Sequence, residues 1–172
     1  FRLLRPADVE PGLLRDAGLR RSPARFARAA ARAKALSAAA QVQRGLIIGV
    51  DTVVTIDGLI LGKPGSRAEA RAMLERLSGR THRVISGVAV ATRPGARVLS
   101  GVETTRVTFR RLSPAELDRY IATPEPYDKA GAYGIQERAG TFVRRVCGCY
   151  VNVVGLPVSL LLELLERAGW RA

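Results

Sequence analysis

The stretch that most constrains this chain is Leu46–Val54, apolar but for Asp51 and Thr52 and followed, after Thr55-Ile56, by Asp57-Gly58 and a second apolar run, Leu59–Leu61. An apolar run of this kind predicts a buried strand. Asp57-Gly58 between apolar runs predicts a two-residue hairpin. The strand from Leu46 to Val50 therefore delivers a single carboxylate, Asp51, to its emerging end. An acid there is costly unless it is paired or metal-bound. It is either a turn-capping aspartate or a metal ligand and general base for water. The hairpin then brings back Lys63, in Gly62-Lys63-Pro64. Lysine occurs only at 34, 63 and 129, against 25 arginines among 28 basic residues. A lysine kept in such a chain is either an ordinary surface residue or a compact point charge for a phosphate. A carboxylate and an ammonium on neighbouring strand ends suit a metal, a water and a phosphate, and so phosphate-ester or phosphoanhydride chemistry.

The rest of the chain alternates helices and strands. Phe1 to Pro6 reads as a short strand or extended lead-in, and Pro11 to Arg21 as a loop. Ser22-Pro23 pairs an N-cap with proline at the first helical position, opening an alanine-rich helix to about Ala40. Ser66-Arg67-Ala68-Glu69 and Ser113-Pro114-Ala115-Glu116 are capping boxes, for helices ending near Leu77 and Ala122. Ala70, Met73, Leu74 and Leu77 form the apolar face of the first, and Gly79 its stop. Strands are expected at Thr81–Thr92, Val98–Phe109 and Thr141–Val146, and a C-terminal helix at Leu156–Ala168. Val102, Thr104, Arg106 and Thr108 share one face of the second strand. The Gly- and Pro-rich segment Thr123–Gly140 reads as a functional loop, in which Gln136 is either a polar loop residue or a reader of a base edge. His82 is expected to be a structural, hydrogen-bonding histidine. Together these elements predict an α/β protein with a mixed sheet.

Composition excludes several classes. Hydrophobic residues make up 47% of 172, which argues against intrinsic disorder. No apolar run approaches the ~20 residues that span a bilayer, and no secretory leader opens the chain. The net charge of +13 is carried by arginines spread along the chain, densest from Arg15 to Arg32. Clustered cations would mark a nucleic-acid binder; a dispersed set predicts a solvated basic surface, the alternative being a polyanion-binding face, and no nucleic-acid or membrane partner is expected. Cys147 and Cys149, one residue apart, would lie on one face of a strand, where an unstrained disulfide is disfavoured. They predict two reduced thiols in a cytoplasmic protein.

Six segments in consistent order then become recognisable: Lys34-Ala35; Gly49-Val50-Asp51-Thr52-Val53-Val54; Gly62-Lys63-Pro64; Leu77-Ser78-Gly79-Arg80-Thr81-His82; Tyr127 to Gln136; and Asn152-Val153-Val154-Gly155-Leu156-Pro157. In this order they resemble the Maf family of nucleoside triphosphate pyrophosphatases, also called septum-formation inhibitor proteins. The resemblance implies one domain over 1–172, with an elongated mixed sheet flanked by helices and two lobes about a central cleft. It implies cleavage of a nucleoside triphosphate between the α and β phosphates, with Mg²⁺ or Mn²⁺ assisting, in nucleotide-pool house-cleaning. Asp51 would be the proton acceptor, Lys34 and Lys63 would contact the polyphosphate, and Glu10 would lie near the metal with Asp51. Thr52 and Gln136 match the subgroup acting on dTTP, UTP and modified pyrimidine nucleotides. A homodimer is implied as well. The alternatives are a 7-methyl-GTP pyrophosphatase and a catalytically weakened regulator of septum formation. The sequence departs from the family in three places. No segment matches the opening strand and Ser-x-Ser-Pro-Arg-Arg loop, and Phe1 aligns just after it. Glu137 replaces a frequent glycine. Cys147 and Cys149 stand where other small or acidic residues are usual.

Overall fold

The computed structural model describes residues 2–7, 9, 12–13, 15–95 and 97–171. In chain order the elements are α1 (Ala17–Arg20), α2 (Pro23–Ala39), β1 (Gly45–Ile56), β2 (Leu59–Leu61), α3 (Arg67–Leu77), β3 (Thr81–Arg93), β4 (Val98–Phe109), α4 (Pro114–Ile121), β5 (Val143–Cys147), α5 (Tyr150–Val154) and α6 (Val158–Arg167). Short 3₁₀ turns at Glu125–Asp128, Ala130–Ala132 and Arg138–Phe142 occupy the predicted functional loop. The strands form a sheet in the order β2-β1-β3-β4-β5, with β1–β2 and β4–β5 antiparallel. This is the expected α/β class. Asp57 and Gly58 both take positive φ, 53° and 77°, the conformation a tight hairpin requires. They set the register Val54↔Leu61.

The chain divides into two compact units. The first comprises Phe1–Thr52, Ser86–Glu103 and Gly155–Ala172; the second comprises Val53–Ile85 and Thr104–Val154. In the first, α2 lies on the sheet at backbone distance. Ala27, Ala31 and Ala35 recur every four residues, so they share a face, and each is wholly buried. The strands answer with glycine. A Cβ on Gly49 would stand 2.4 Å from the Ala31 carbonyl oxygen, and one on Gly87 would stand 2.2 Å from that of Ala27. Only glycine admits a helix this close. Ile47, Ala89 and Ala91 complete this layer. On the other side of the strands Val88 and Val90 pack with Leu161 and Leu164 of α6.

The second unit has its own core, in which Leu74 and Leu77 of α3, Leu117 and Ile121 of α4, and Val84, Val107 and Phe109 of the sheet are buried. Met73 packs against it, as expected of core filler. Phe109, Tyr133, Phe142 and Tyr120 meet edge to face at 4.8–6.0 Å, the favoured aromatic geometry. Arg71 of α3 binds Asp118 of α4.

Some expectations shift. Residues 2–7 form no regular element, so the strand alternative for the lead-in is not formed. The lead-in is tied to α2 by Ala7 N–H donating to Ser37 Oγ at 2.8 Å. The loop expected at Pro11–Arg21 contains α1, because Asp16 Oδ1 accepts from Gly18 and Leu19 N–H. Ser22 stands at the N-cap of α2 but makes no side-chain cap bond. Ser113 and Glu116 form the full capping box. At α3 the box is half made: Ser66 Oγ accepts from Glu69 N–H, while Glu69 accepts from Gly65 N–H instead. β5 begins two residues later than expected, and α5, only five residues long, had no periodic signal. Cys149 is not on the strand. β5 ends at Cys147, and Gly148 turns the chain at φ 123°.

Candidate active site

Alternation along β1 decides what its carboxylate can meet. Ile47, Gly49 and Asp51 share the face covered by α2, and Thr52 points the opposite way. Because Gly49 lets α2 sit against the strand, Lys34 on that helix reaches Asp51. Its Nζ donates to Asp51 Oδ1 at 2.6 Å. The Asp51 side chain is 5% exposed and that of Lys34 is 22%. The ammonium offsets the cost of burying the carboxylate and leaves the lysine the more accessible partner. The expected strand-end acid is thus buried and paired, and two residues assigned by the resemblance lie together. A carboxylate so held can orient a water and accept its proton. The lysine can exchange one anion for another.

Thr52 lies on the opposite face. Its hydroxyl donates to the Gly155 carbonyl at 3.3 Å and stands 2.8 Å from Ser86 Oγ. Ser86 was not singled out from sequence, and Gly155 only as part of a recognised segment; they lie 34 and 103 residues from Thr52, and no local pattern links them to it.

In the second unit Lys63 is exposed just beyond β2, and Gln136 is exposed in the loop. Gly62 accepts from Gly131 N–H at 3.0 Å, which ties the lysine's strand end to the loop. There Lys129 binds both Asp128 oxygens at 2.8 Å and reaches Glu137 at 3.5 Å. The Lys129 hydrogen bond, with the Lys63 charge adding to it, holds the Asp128 carboxyl below its ordinary range. Thr123, Glu125, Asp128, Lys129, Glu137 and Arg138 line an open depression of about 440 Å³. Gly131 and the non-glycine Ala132 both take positive φ, 70° and 63°, and Ala132 is wholly buried. A non-glycine residue held in this region marks a loop over-determined by its surroundings. Lys129 was within reach of sequence reasoning, since the scarcity that singles out Lys63 applies equally to it.

His82 is a structural residue, as expected. It is buried, its Nε2 lies 2.7 Å from the Tyr133 hydroxyl, and burial lowers its pKa to about 4. Glu10 lies outside the described residues. Among the described residues no three His, Cys, Asp or Glu side chains converge as a metal cage. A divalent cation shared with a polyphosphate needs less: Mg²⁺ is commonly held by one or two carboxylates and the phosphates themselves. Asp51 suits that role.

The family described as Maf-like protein matches residues 3–168. A dTTP/UTP pyrophosphatase from Moorella thermoacetica is 47% identical over 171 residues, covering 98% of this chain and 87% of that protein. One from Dictyoglomus thermophilum is 44% identical over 99% of this chain and 86% of its own length. One from Carboxydothermus hydrogenoformans is 46% identical over 87% and 80%. A family match over residues 3–168, with 44–47% identity to relatives covered over 80–87% of their own length, means that the chain belongs to the family of Maf-like proteins.

Proposed function

We propose that this protein is a nucleoside triphosphate pyrophosphatase that hydrolyses dTTP, UTP and modified pyrimidine nucleotides to the monophosphate and pyrophosphate. The observation that carries the reading is the ion pair of the buried Asp51 with the half-buried Lys34 at the end of an apolar strand. The names of the similar proteins support the substrate class. Asp51 orients a water and takes its proton as the water oxygen bonds to the α-phosphorus. The bond from that phosphorus to the α–β bridging oxygen breaks, and pyrophosphate leaves with the electron pair. Lys34 follows the negative charge from Asp51 to the polyphosphate, which brings about four charges that must be offset. Lys63 adds a second cation for the phosphates, and Gln136 reads the base through its amide donor and acceptor. Asp51, with Glu10, would hold the divalent cation, which when bound neutralises the triphosphate and polarises its phosphoanhydride. The same reading includes a cytoplasmic homodimer, supported by the family resemblance; light scattering at twice the monomer mass checks the assembly.

Purified protein incubated with Mn²⁺ and a panel of dTTP, UTP and 7-methyl-GTP tests the proposal. Pyrophosphate with dTMP or UMP is expected. Orthophosphate as the sole phosphate product overturns the mechanism, and preference for 7-methyl-GTP overturns the substrate class.

A further inference from the structure

Dispersal along the chain is not dispersal on the surface. In the second unit the core lies on one face of the sheet, where Val84, Val107 and Phe109 are buried. Side chains alternate along a strand. Thr81 and Arg83 of β3, Thr104, Arg106 and Thr108 of β4, and Arg145 and Cys147 of β5 therefore share the other face. Thr108 is half-buried and the rest are exposed. β3 and β4 run antiparallel: Thr92 N–H donates to the Arg97 carbonyl at one end and Phe109 N–H to the Arg80 carbonyl at the other, both at 3.0 Å. In the same register Thr81 Oγ1 lies 2.8 Å from Thr108 Oγ1, which sets Arg83 directly opposite Arg106. Across the next pair Arg106 opposes Cys147 and Thr108 opposes Arg145, so Arg145 is the diagonal neighbour of Arg106.

Three arginines far apart in sequence thus form one cluster, and it has no internal compensation. Like charges directly opposite on neighbouring strands destabilise a sheet. None of the seven residues on the face is acidic. Among the described residues no carboxylate forms an ion pair with Arg83, Arg106 or Arg145. Elsewhere the fold does pair its arginines: Arg71 with Asp118, Arg80 with Asp57 and Arg110 with Glu116. The opposed pair is a cost that a bound polyanion offsets. Neighbouring strands lie about 4.8 Å apart, so three guanidinium groups on three strands span about 10 Å. One strand of duplex DNA places about three phosphates along that distance. The threonine hydroxyls between the arginines can donate to phosphate oxygens. The face carries no aromatic ring, the platform on which single-stranded bases stack. We propose that this sheet face docks the phosphate backbone of double-stranded DNA without sequence preference. The inference stands apart from the pyrophosphatase reading, since none of these residues is assigned to hydrolysis.

Fluorescence anisotropy of a short labelled duplex, titrated with the full chain between about 50 and about 200 mM salt, tests the proposal. Affinity is expected to fall steeply as salt rises. Arg83→Gln and Arg106→Gln should each weaken binding about three- to tenfold and reduce the slope of log K against log salt by about 1. Arg119→Gln is the control. It removes the same charge from an exposed position on α4, the helix packed on the core side of this unit, and should change affinity by less than about twofold. Relief of the opposed pair should also raise the Tm of Arg83→Gln by about 1–3 °C, so that binding is lost while stability is gained. Binding that is independent of salt, equal losses in Arg119→Gln, or full affinity in the double variant Arg83→Gln/Arg106→Gln overturns the proposal. Tighter binding of a single strand, or of polyglutamate, overturns the class of partner.

Discussion

A single ion pair carries the chemical reading, and its asymmetry makes it testable one residue at a time. Asp51 is nearly sealed and Lys34 is not. Removing the ammonium leaves a buried carboxylate without that counter-charge, whereas removing the carboxylate charge leaves a lysine able to turn toward water. Lys34→Met is therefore expected to cost about 2–3 kcal/mol, read as a lower urea midpoint. Asp51→Asn, nearly isosteric, is expected to change stability by less than about 1 kcal/mol and yet to lower kcat about a hundred- to ten-thousand-fold. Equal losses of stability and turnover in Asp51→Asn would make Asp51 a structural residue instead.

Elements depend on contacts that the sequence only half announces. All three helix-opening serines, Ser22, Ser66 and Ser113, read alike as N-caps. Two act as caps, and Ser22 Oγ makes no cap bond. Ser113→Ala should therefore cost about 1 kcal/mol, Ser66→Ala nearly as much, and Ser22→Ala little. A Ser22→Ala loss matching that of Ser113→Ala would contradict this assignment. Arg110 binding to Glu116, with the bonds from Ser113, pushes that carboxyl down to about 2, which keeps the capping box charged in mild acid. The seating of α2 is stricter. Gly49→Ala and Gly87→Ala each put a methyl within 2.4 Å of a helix carbonyl oxygen, so the helix must lift from the sheet. We expect a fall in Tm of at least about 5 °C for either. Gly62→Ala, where nothing lies within 4 Å, is the matched control and should melt with the parent.

Over the whole molecule the stability profile follows from buried titration. His82 has its pKa lowered by burial to about 4, so the unfolded chain binds its proton more readily. Stability is then full above about pH 6.5 and falls as pH drops toward about 4. The loss is on the order of 3 kcal/mol. Asp57, Asp128 and Glu116 have lowered pKa values through hydrogen bonds to Arg80, Lys129 and Arg110 respectively. Their contribution is present above the ordinary carboxylate range and is lost further into acid. Urea midpoints taken from pH 7 to 4.5 should fall for the parent chain and stay nearly flat for His82→Leu; parallel slopes would refute the assignment to His82. The α/β class, the order of the strands and the longer helices, the hairpin at Asp57-Gly58 and the Ser113–Glu116 capping box were legible because each is written in residues a few positions apart, where propensity, periodicity and turn chemistry act. Asp51 and Lys63 stood out for the same reason: one breaks an apolar run and the other a run of arginines. The partners were not legible. That Lys34 meets Asp51, that Thr52 meets Ser86 and Gly155, and that Cys147 faces Arg106 are contacts across 17 to 103 residues. They are fixed by the depth at which a helix settles on glycines and by the register of paired strands. Local sequence states which groups are costly to bury. Only packing chooses the group that compensates each one, because that choice is made by distance in space.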